Sequence, residues 1–168
     1  VAAVLLCGAQ AFAQDPMQSG SSAASAKDKL FVTKAMQGSM AEVQLGQLAS
    51  QNASSQQVKD FGQKMVDDHT KLNEQMKPVA AQLGITPPTS VSPKQQALMT
   101  KLQGLNGAAF DKAYVDAMVA DHKEDDKDFK AEETSGKNMQ VKDAATQGEP
   151  VIAEHLQMIE QIQQKMRK

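Results

Sequence analysis

The sequence predicts an all-α protein, a four-helix bundle with one long crossover that carries a short extra helix. Three observations predict it. Helix formers such as Ala, Gln, Met and Lys are plentiful, while aromatics are 4% of residues and Trp is absent, which disfavours sheet. Four long segments repeat apolar residues every three or four positions, the period of a helix buried on one side. Short turns join these segments in two pairs, and the Pro-rich stretch ITPPTSVSP separates the pairs. A chain of 168 residues is long enough to bury one sizeable core.

The first segment lies outside that core. VAAVLLCGAQAFA, residues 1–13, is an apolar run ending in the small-x-small pattern of a signal-peptidase site, with cleavage expected after Ala13. No charged stretch precedes the run, so the sequence is expected to begin inside the signal. The run is too short to span a bilayer. Leu6 stands before Cys7 where a lipoprotein anchor needs a small residue, so a lipid anchor is the weaker reading. Removal of the signal would take the single cysteine with it, excluding disulfides and thiolate metal sites. With no second apolar span, the mature product is expected to be periplasmic or secreted. Residues 14–26, rich in Ser, Gly and Ala, read as a flexible leader.

The bundle domain is expected over 27–168. Its first helix starts near Lys27, with Ser25 and Asp28 spaced as a capping box. Its inward stripe is Phe31, Ala35, Gly38, Glu42, Leu45 and Ala49. Ser54 or Ser55 can cap the second helix. That helix runs to Leu83 and stops at Gly84, with Val58, Phe61, Met65, His69, Leu72, Met76, Val79 and Leu83 inward. Pro78 should bend its last turns. Ser92 and Pro93 suit the N-cap and first position of a short helix through Leu102. The third long helix covers 108–134, preceded by Asn106 as a cap, with Phe110, Tyr114, Met118, His122, Asp125 and Phe129 inward. Gly136 suits the position just past its end. The fourth covers 138–166, with Val141, Ala145, Gly148, Ile152, His155, Ile159 and Ile162 inward, and Gly148 and Pro150 are expected to kink it.

Each long helix thus interrupts its apolar stripe once with a ligand-type side chain: Glu42, His69, His122 and His155. Two of the three histidines end a repeated phrase, FGQKMVDDHTK at 61–71 and YVDAMVADHKE at 114–124. All four lie near their helix midpoints, so antiparallel packing can bring them to one level. A buried imidazole or carboxylate is costly without a partner. Three imidazoles and a carboxylate at one level could ligate one divalent transition metal, Zn, Fe, Mn or Cu. Asp125, one turn after His122, is a further candidate ligand. Asp68, Asp121 and Glu154 directly precede the histidines, and adjacent helical residues point ~100° apart, so these suit outer or surface positions.

Each candidate has a plainer explanation. The histidines and Glu42 could form a hydrogen-bonded polar layer with a purely structural role. Met65, Met118 and Met158 lie one turn from the histidines, which would suit Cu(I), but methionine at this spacing is more often core filler. The acidic run DHKEDDKD is mostly a solvated helix face. A formal charge of −2 and the absence of a basic stripe argue against nucleic acid. No phosphate loop or nucleophile triad stands out, so a non-enzymatic role is favoured. Nothing in the sequence names a protein partner or an oligomeric state.

FVTKAMQGSMAEVQLGQLA, FGQKMVDDHTKLNEQM, AAFDKAYVDAMVADHKEDDKDF and the C-terminal EHL, in this order, closely resemble the bacterial secreted proteins grouped as domain of unknown function 4142. The resemblance spans Lys27 to Gln163. It implies a ferritin-like bundle and no established activity. The ferritin analogy implies a di-iron centre, which needs Glu on two helices and Glu-x-x-His on the others. Here Val66, Val119 and Ile152 stand three before the histidines, so a single-metal site is the better expectation. The leading reading is metal handling or envelope stress protection. A structural or interaction module of the envelope comes second, and a metal-dependent redox enzyme last.

Overall fold

A computed structural model describes residues 23–167 and contains five helices, with no strand among the described residues. Residues 1–22, which include the expected signal and most of the expected leader, lie outside the described residues. The helices are α1 (Ala26–Asn52), α2 (Gln56–Gln82), α3 (Pro93–Gln103), α4 (Gly107–Ser135) and α5 (Met139–Met166). The four long ones form two hairpins, α1 with α2 and α4 with α5. The hairpins meet through α2 against α5 and α1 against α4, and α3 lies in the crossover against α1 and α4. Among the described residues, no helix is long and apolar enough to cross a membrane.

Local chemistry sets most helix ends. Ser25 and Asp28 form the reciprocal capping box of α1, one residue earlier than the start expected near Lys27, so the leader ends by Ser25. Ser92 and Gln95 do the same for α3, with Pro93 in its first turn. Gly84, at φ +65°, ends α2, and the Ile85 N–H donates back to the Ala80 carbonyl at 2.9 Å.

Three expected caps turn out differently. Ser55 is the N-cap residue of α2, but its hydroxyl makes no capping bond. Asp111 of α4 serves instead, accepting from the backbone N–H of Ser54 at 3.1 Å and of Ser55 at 2.9 Å. Asn106 holds the N-cap position of α4 without a side-chain bond. Gly136 has φ −56°, so it is not a left-handed cap. An added Cβ there would meet the Glu132 carboxylate at 2.5 Å and the Glu132 carbonyl at 2.6 Å, so the glycine makes room for the side chain folded over it.

Both prolines inside long helices are accommodated: α2 continues through Pro78 and α5 through Pro150. Gly148 serves close packing, since a Cβ there would come within 2.6 Å of the Phe129 ring. Gly46 and Gly62 bring α1 and α2 into backbone contact. A Cβ on Gly62 would lie 2.7 Å from the Ala49 Cβ and 2.8 Å from the Gly46 carbonyl oxygen.

The core is divided. One apolar cluster gathers Leu45, Phe61, Met65, Phe110, Tyr114, Met118 and Ile159. The other gathers Phe31, Met36, Met76, Phe129, Val141 and Ile152. On every long helix the polar interruption falls between a residue of one cluster and a residue of the other. Beyond the second cluster, Asp28 closes the open end. Its carboxylate accepts from the Ser25 N–H at 2.7 Å and the Lys137 N–H at 2.9 Å, tying the start of α1 to the α4–α5 turn. Burial would raise the Asp28 carboxyl, but these backbone donors hold it at about 2. Glu132, 1% exposed, lies against it with no donor for either oxygen. Burial first, then Asp28, push Glu132 up to about 7, against the pull of Lys27 and Lys142.

Two outcomes follow from this packing. Gly62→Ala should lower stability by ~1–3 kcal/mol through overpacking, although alanine is the better helix former. A denaturant titration checks it, and an unchanged or raised midpoint would contradict the backbone contact. Below pH 4.5 the folded and unfolded chains both hold the Glu132 proton, and from there to about 7 only the folded chain does. Its stabilising contribution is therefore complete at low pH and lost as pH rises through 7. Glu132→Gln, whose amide can donate permanently, should match wild type near pH 4.5 and melt several degrees higher at pH 8. Parallel melting curves across that range would contradict the shared proton.

Candidate metal centre

The four interruptions meet in the middle of the molecule. Glu42 comes from α1, His69 from α2, His122 from α4 and His155 from α5, and none is more than 1% exposed. The spacing that put them on apolar stripes therefore also carries them inward. The imidazole centroids lie 5.2–5.9 Å apart. One ring nitrogen from each histidine lies within 4.8 Å of those of the other two.

Each ring is fixed through one nitrogen and open at the other. His69 donates from Nδ1 to Glu42 Oε2 at 2.9 Å, with Ser39 Oγ at 3.4 Å from the same nitrogen. His122 donates from Nδ1 to the Met118 carbonyl, one turn back, at 3.0 Å. His155 donates from Nε2 to Asp68 Oδ2 at 3.0 Å. The remaining nitrogens, His69 Nε2, His122 Nε2 and His155 Nδ1, are buried and have no hydrogen-bond partner. Glu42 Oε1 is also without one, at 3.5 Å from His122 Nε2. The carbonyl on the far side of His122 requires a proton on Nδ1, which leaves Nε2 a bare lone pair facing a carboxylate oxygen.

Electrostatics keep the lone pairs of His122 and His155 available. Burial lowers His122 despite the opposing charge of Glu42. Burial and His69 lower His155 to about 4, against the hydrogen bond to Asp68. Burial would raise Glu42, but His69, which also donates a hydrogen bond to it, and then His122 draw it below the usual carboxylate range. The site therefore presents His122 and His155 as neutral imidazoles beside an ionised Glu42 at neutral pH.

The family model for domain of unknown function 4142 (DUF4142) matches residues 13–162. The chain belongs to that family. No curated protein matches the DUF4142 chain in sequence. Two solved structures share its fold. A DUF305 fragment from Deinococcus radiodurans has a TM-score of 0.72 at 14% identity, covering 83% of this chain and 96% of its own. A DUF305 protein from Streptomyces coelicolor, described as secreted, has a TM-score of 0.69 at 12% identity, covering 83% and 93%.

Around the DUF4142 site, the other candidates divide. Asp68 orients His155 and is itself held by Lys64 at 3.0 Å. Burial would raise the Asp68 carboxyl, but Lys64 and His155 keep it at about 2. Glu154 is exposed and pairs with Lys64 at 3.2 Å. Asp125 is not grouped with the histidines. It lies with Glu42 and Asp121, the three offering oxygens within 4.8 Å of one another. Burial, then Glu42, raise Asp121 to about 6 and lift Asp125 well above the usual carboxylate range. Met65 and Met118 are buried in the first apolar cluster, and Met158 packs against it. Tyr114 has a buried hydroxyl without a partner, raised by burial and by Glu42. In the sequence Tyr114 reads as an inward core residue. Its place eight residues before His122, on the same face, was the available signal.

The hydrogen bonds dictate tautomers. In metal-free protein at pH 7, nitrogen NMR should find His69 and His122 protonated on Nδ1 and His155 on Nε2. His155 should keep its neutral form to about pH 5, since its proton affinity is lowered to about 4. A proton on Nε2 of neutral His122 would contradict the arrangement.

Proposed function

We propose that this protein is a secreted, ferritin-like four-helix bundle that holds one divalent transition metal ion on His69, His122 and His155, and that it handles metal in the cell envelope rather than catalysing a reaction. The observation that carries this reading is the set of three buried, unpartnered ring nitrogens on rings whose other nitrogens are all anchored. Metal-binding histidines are held in this way, with the outer N–H on a carboxylate or backbone carbonyl. A polar layer with only a structural role would be expected to satisfy those nitrogens within the protein.

The dimensions support the same reading. Points within 4.8 Å of one another have a common centre at most ~2.8 Å from each, against the ~2.0–2.1 Å of a Zn–N bond. Side-chain adjustment of under ~1 Å would close the difference. Glu42 would offset part of the ion's charge, and its unpartnered Oε1 is a candidate fourth donor. Nitrogen donors with one carboxylate suit Zn, Cu(II) or Fe. The secreted location rests on the N-terminal pattern and on the fold neighbour described as secreted.

Elemental mass spectrometry tests the proposal, on untagged protein exported from its own signal and purified without chelator. Wild type should carry close to one equivalent of metal, and His69→Ala/His122→Ala should carry none. Saturating metal at ~100-fold above its Kd should also stabilise wild type by ~2.7 kcal/mol. Metal-free wild type after exposure to Zn, Fe, Mn and Cu would leave the structural polar layer as the function of these residues.

A further inference from the structure

A site buried this deeply needs an entrance. The three rings and Glu42 are at most 1% exposed, so an ion reaches them only by passing through the protein. An open cavity of about 270 Å³ lies along the seam between α2 and α5, with Ala35 of α1 and Phe129 of α4 also lining it. Gln75 and Gln82 line it from α2, and Gln140, Asp143 and Gln147 from α5. Residues seven apart share a helix face, so each helix contributes a pair of amides two turns apart. Among the described residues that line the cavity, Asp143 alone is charged, and no Lys or Arg opposes a cation there.

Ser39 connects this cavity to the site. It lines the cavity, is 7% exposed, and places Oγ 3.4 Å from His69 Nδ1. That nitrogen donates its proton to Glu42 Oε2 at 2.9 Å, so Ser39 can share it only as a distant second acceptor. Among the described residues the Ser39 hydroxyl has no other hydrogen-bond partner, which leaves its own proton without an acceptor. Helical serines often return that proton to a carbonyl one turn back, as Ser50 does to Gly46 at 3.3 Å. Ser39 does not. Its oxygen also keeps a lone pair, so it can hold a water molecule or a hydrated cation at the inner end of the cavity. A second cavity, of about 350 Å³, shares Ala35 and Phe129 with the first, but Ser39 is not part of its wall, and Lys34 and Lys94 are.

We propose that the α2–α5 cavity is the entrance to the histidine site, and that Ser39 passes a hydrated divalent cation inward to His69. Asp143 and the amide oxygens attract the ion at the rim, because a cleft lined by one sign of charge concentrates the opposite ion. Oxygen donors of this kind suit a cation that still carries its water. The Ser39 hydroxyl then replaces part of that water before the imidazoles replace the rest. The inference rests on the histidine site as the destination, but the path has its own residues and its own readout.

Stopped-flow mixing tests it. Metal-free mature chain mixed with Zn²⁺ gives the uptake rate, and Zn²⁺-loaded chain mixed with excess chromophoric chelator gives the release rate. Ala144→Phe fills the cavity from its α5 wall. It should slow uptake and release alike, by ~10-fold or more, and leave Kd unchanged, since a blocked path raises the barrier and not the end states. Ser39→Ala should slow both rates in the same way. Asp143→Lys, at an exposed position, should slow uptake at low salt and recover as salt is raised. Gly38→Leu fills the second cavity and should keep wild-type rates. Melting curves show which variants fold, and Asp143→Lys carries the test if Ala144→Phe does not. Wild-type rates in folded Ala144→Phe, uptake by Asp143→Lys as fast as wild type at low salt, or equal slowing by Gly38→Leu would overturn the entrance and leave the histidine reading intact. A wild-type chain that takes up no Zn²⁺ at equilibrium would remove the site and its entrance together.

Discussion

Glu42 is a single ionised carboxylate in the middle of a helical core, and the surrounding polar structure is organised by the need to accommodate it. A buried charge is tolerated only when it is paired. Its hydrogen-bond partner, His69, comes from the adjacent helix of the same hairpin, and the His122 ring faces it from the other hairpin. Those imidazoles create requirements of their own. His122 turns to a carbonyl of its own helix. His155 turns to Asp68, Asp68 to Lys64, and Lys64 to Glu154 at the surface. The result is a polar layer linked outward along α2 and α5, with dry packing on both sides.

Carboxylates also fasten the extremities. Asp111 reaches from α4 to the backbone amides of Ser54 and Ser55, just before α2, and Asp28 joins the first turn of α1 to the α4–α5 turn. Both supply charge to N–H groups that a helix or turn would otherwise leave unsatisfied. They lie at opposite ends of the molecule and on different helices. Acidic side chains thus define the middle and both ends of the fold, and hydrocarbon fills the space between.

Much of this was legible in the sequence, because it is local. Ser25, Gly84 and Pro93 mark helix ends through interactions within a turn or two, and the helices fall within a residue or two of the positions they indicate. Glu42 and the histidines were legible because each breaks an apolar stripe. What escaped depends on contacts between helices. Asp111 caps a helix that begins 55 residues earlier, at Gln56. Asp68 finds His155 across a separation of 87 residues. Gly46 and Gly62 look like ordinary helix weaknesses until their backbones are seen to touch. Asp125 has the helical phase expected of an inward residue, but phase alone cannot tell that it leans toward Asp121 and Glu42 rather than toward the rings. Gly136 looked like a left-handed cap because glycine is usual there, whereas the actual constraint is the Glu132 side chain above it.

The two hairpins are unequal to the seam between them. Within each, the helices touch along their length, while α2 with α5 and α1 with α4 share much narrower interfaces. Glu42 and His69 belong to one hairpin, and His122 and His155 to the other. The ionisable groups therefore bridge the narrow boundary between the two hairpins. Separation of the hairpins as intact halves would expose all four groups to water at once, whereas fraying at a helix end would expose none. Breathing across the seam is thus the motion that couples to the concentration of protons and cations outside.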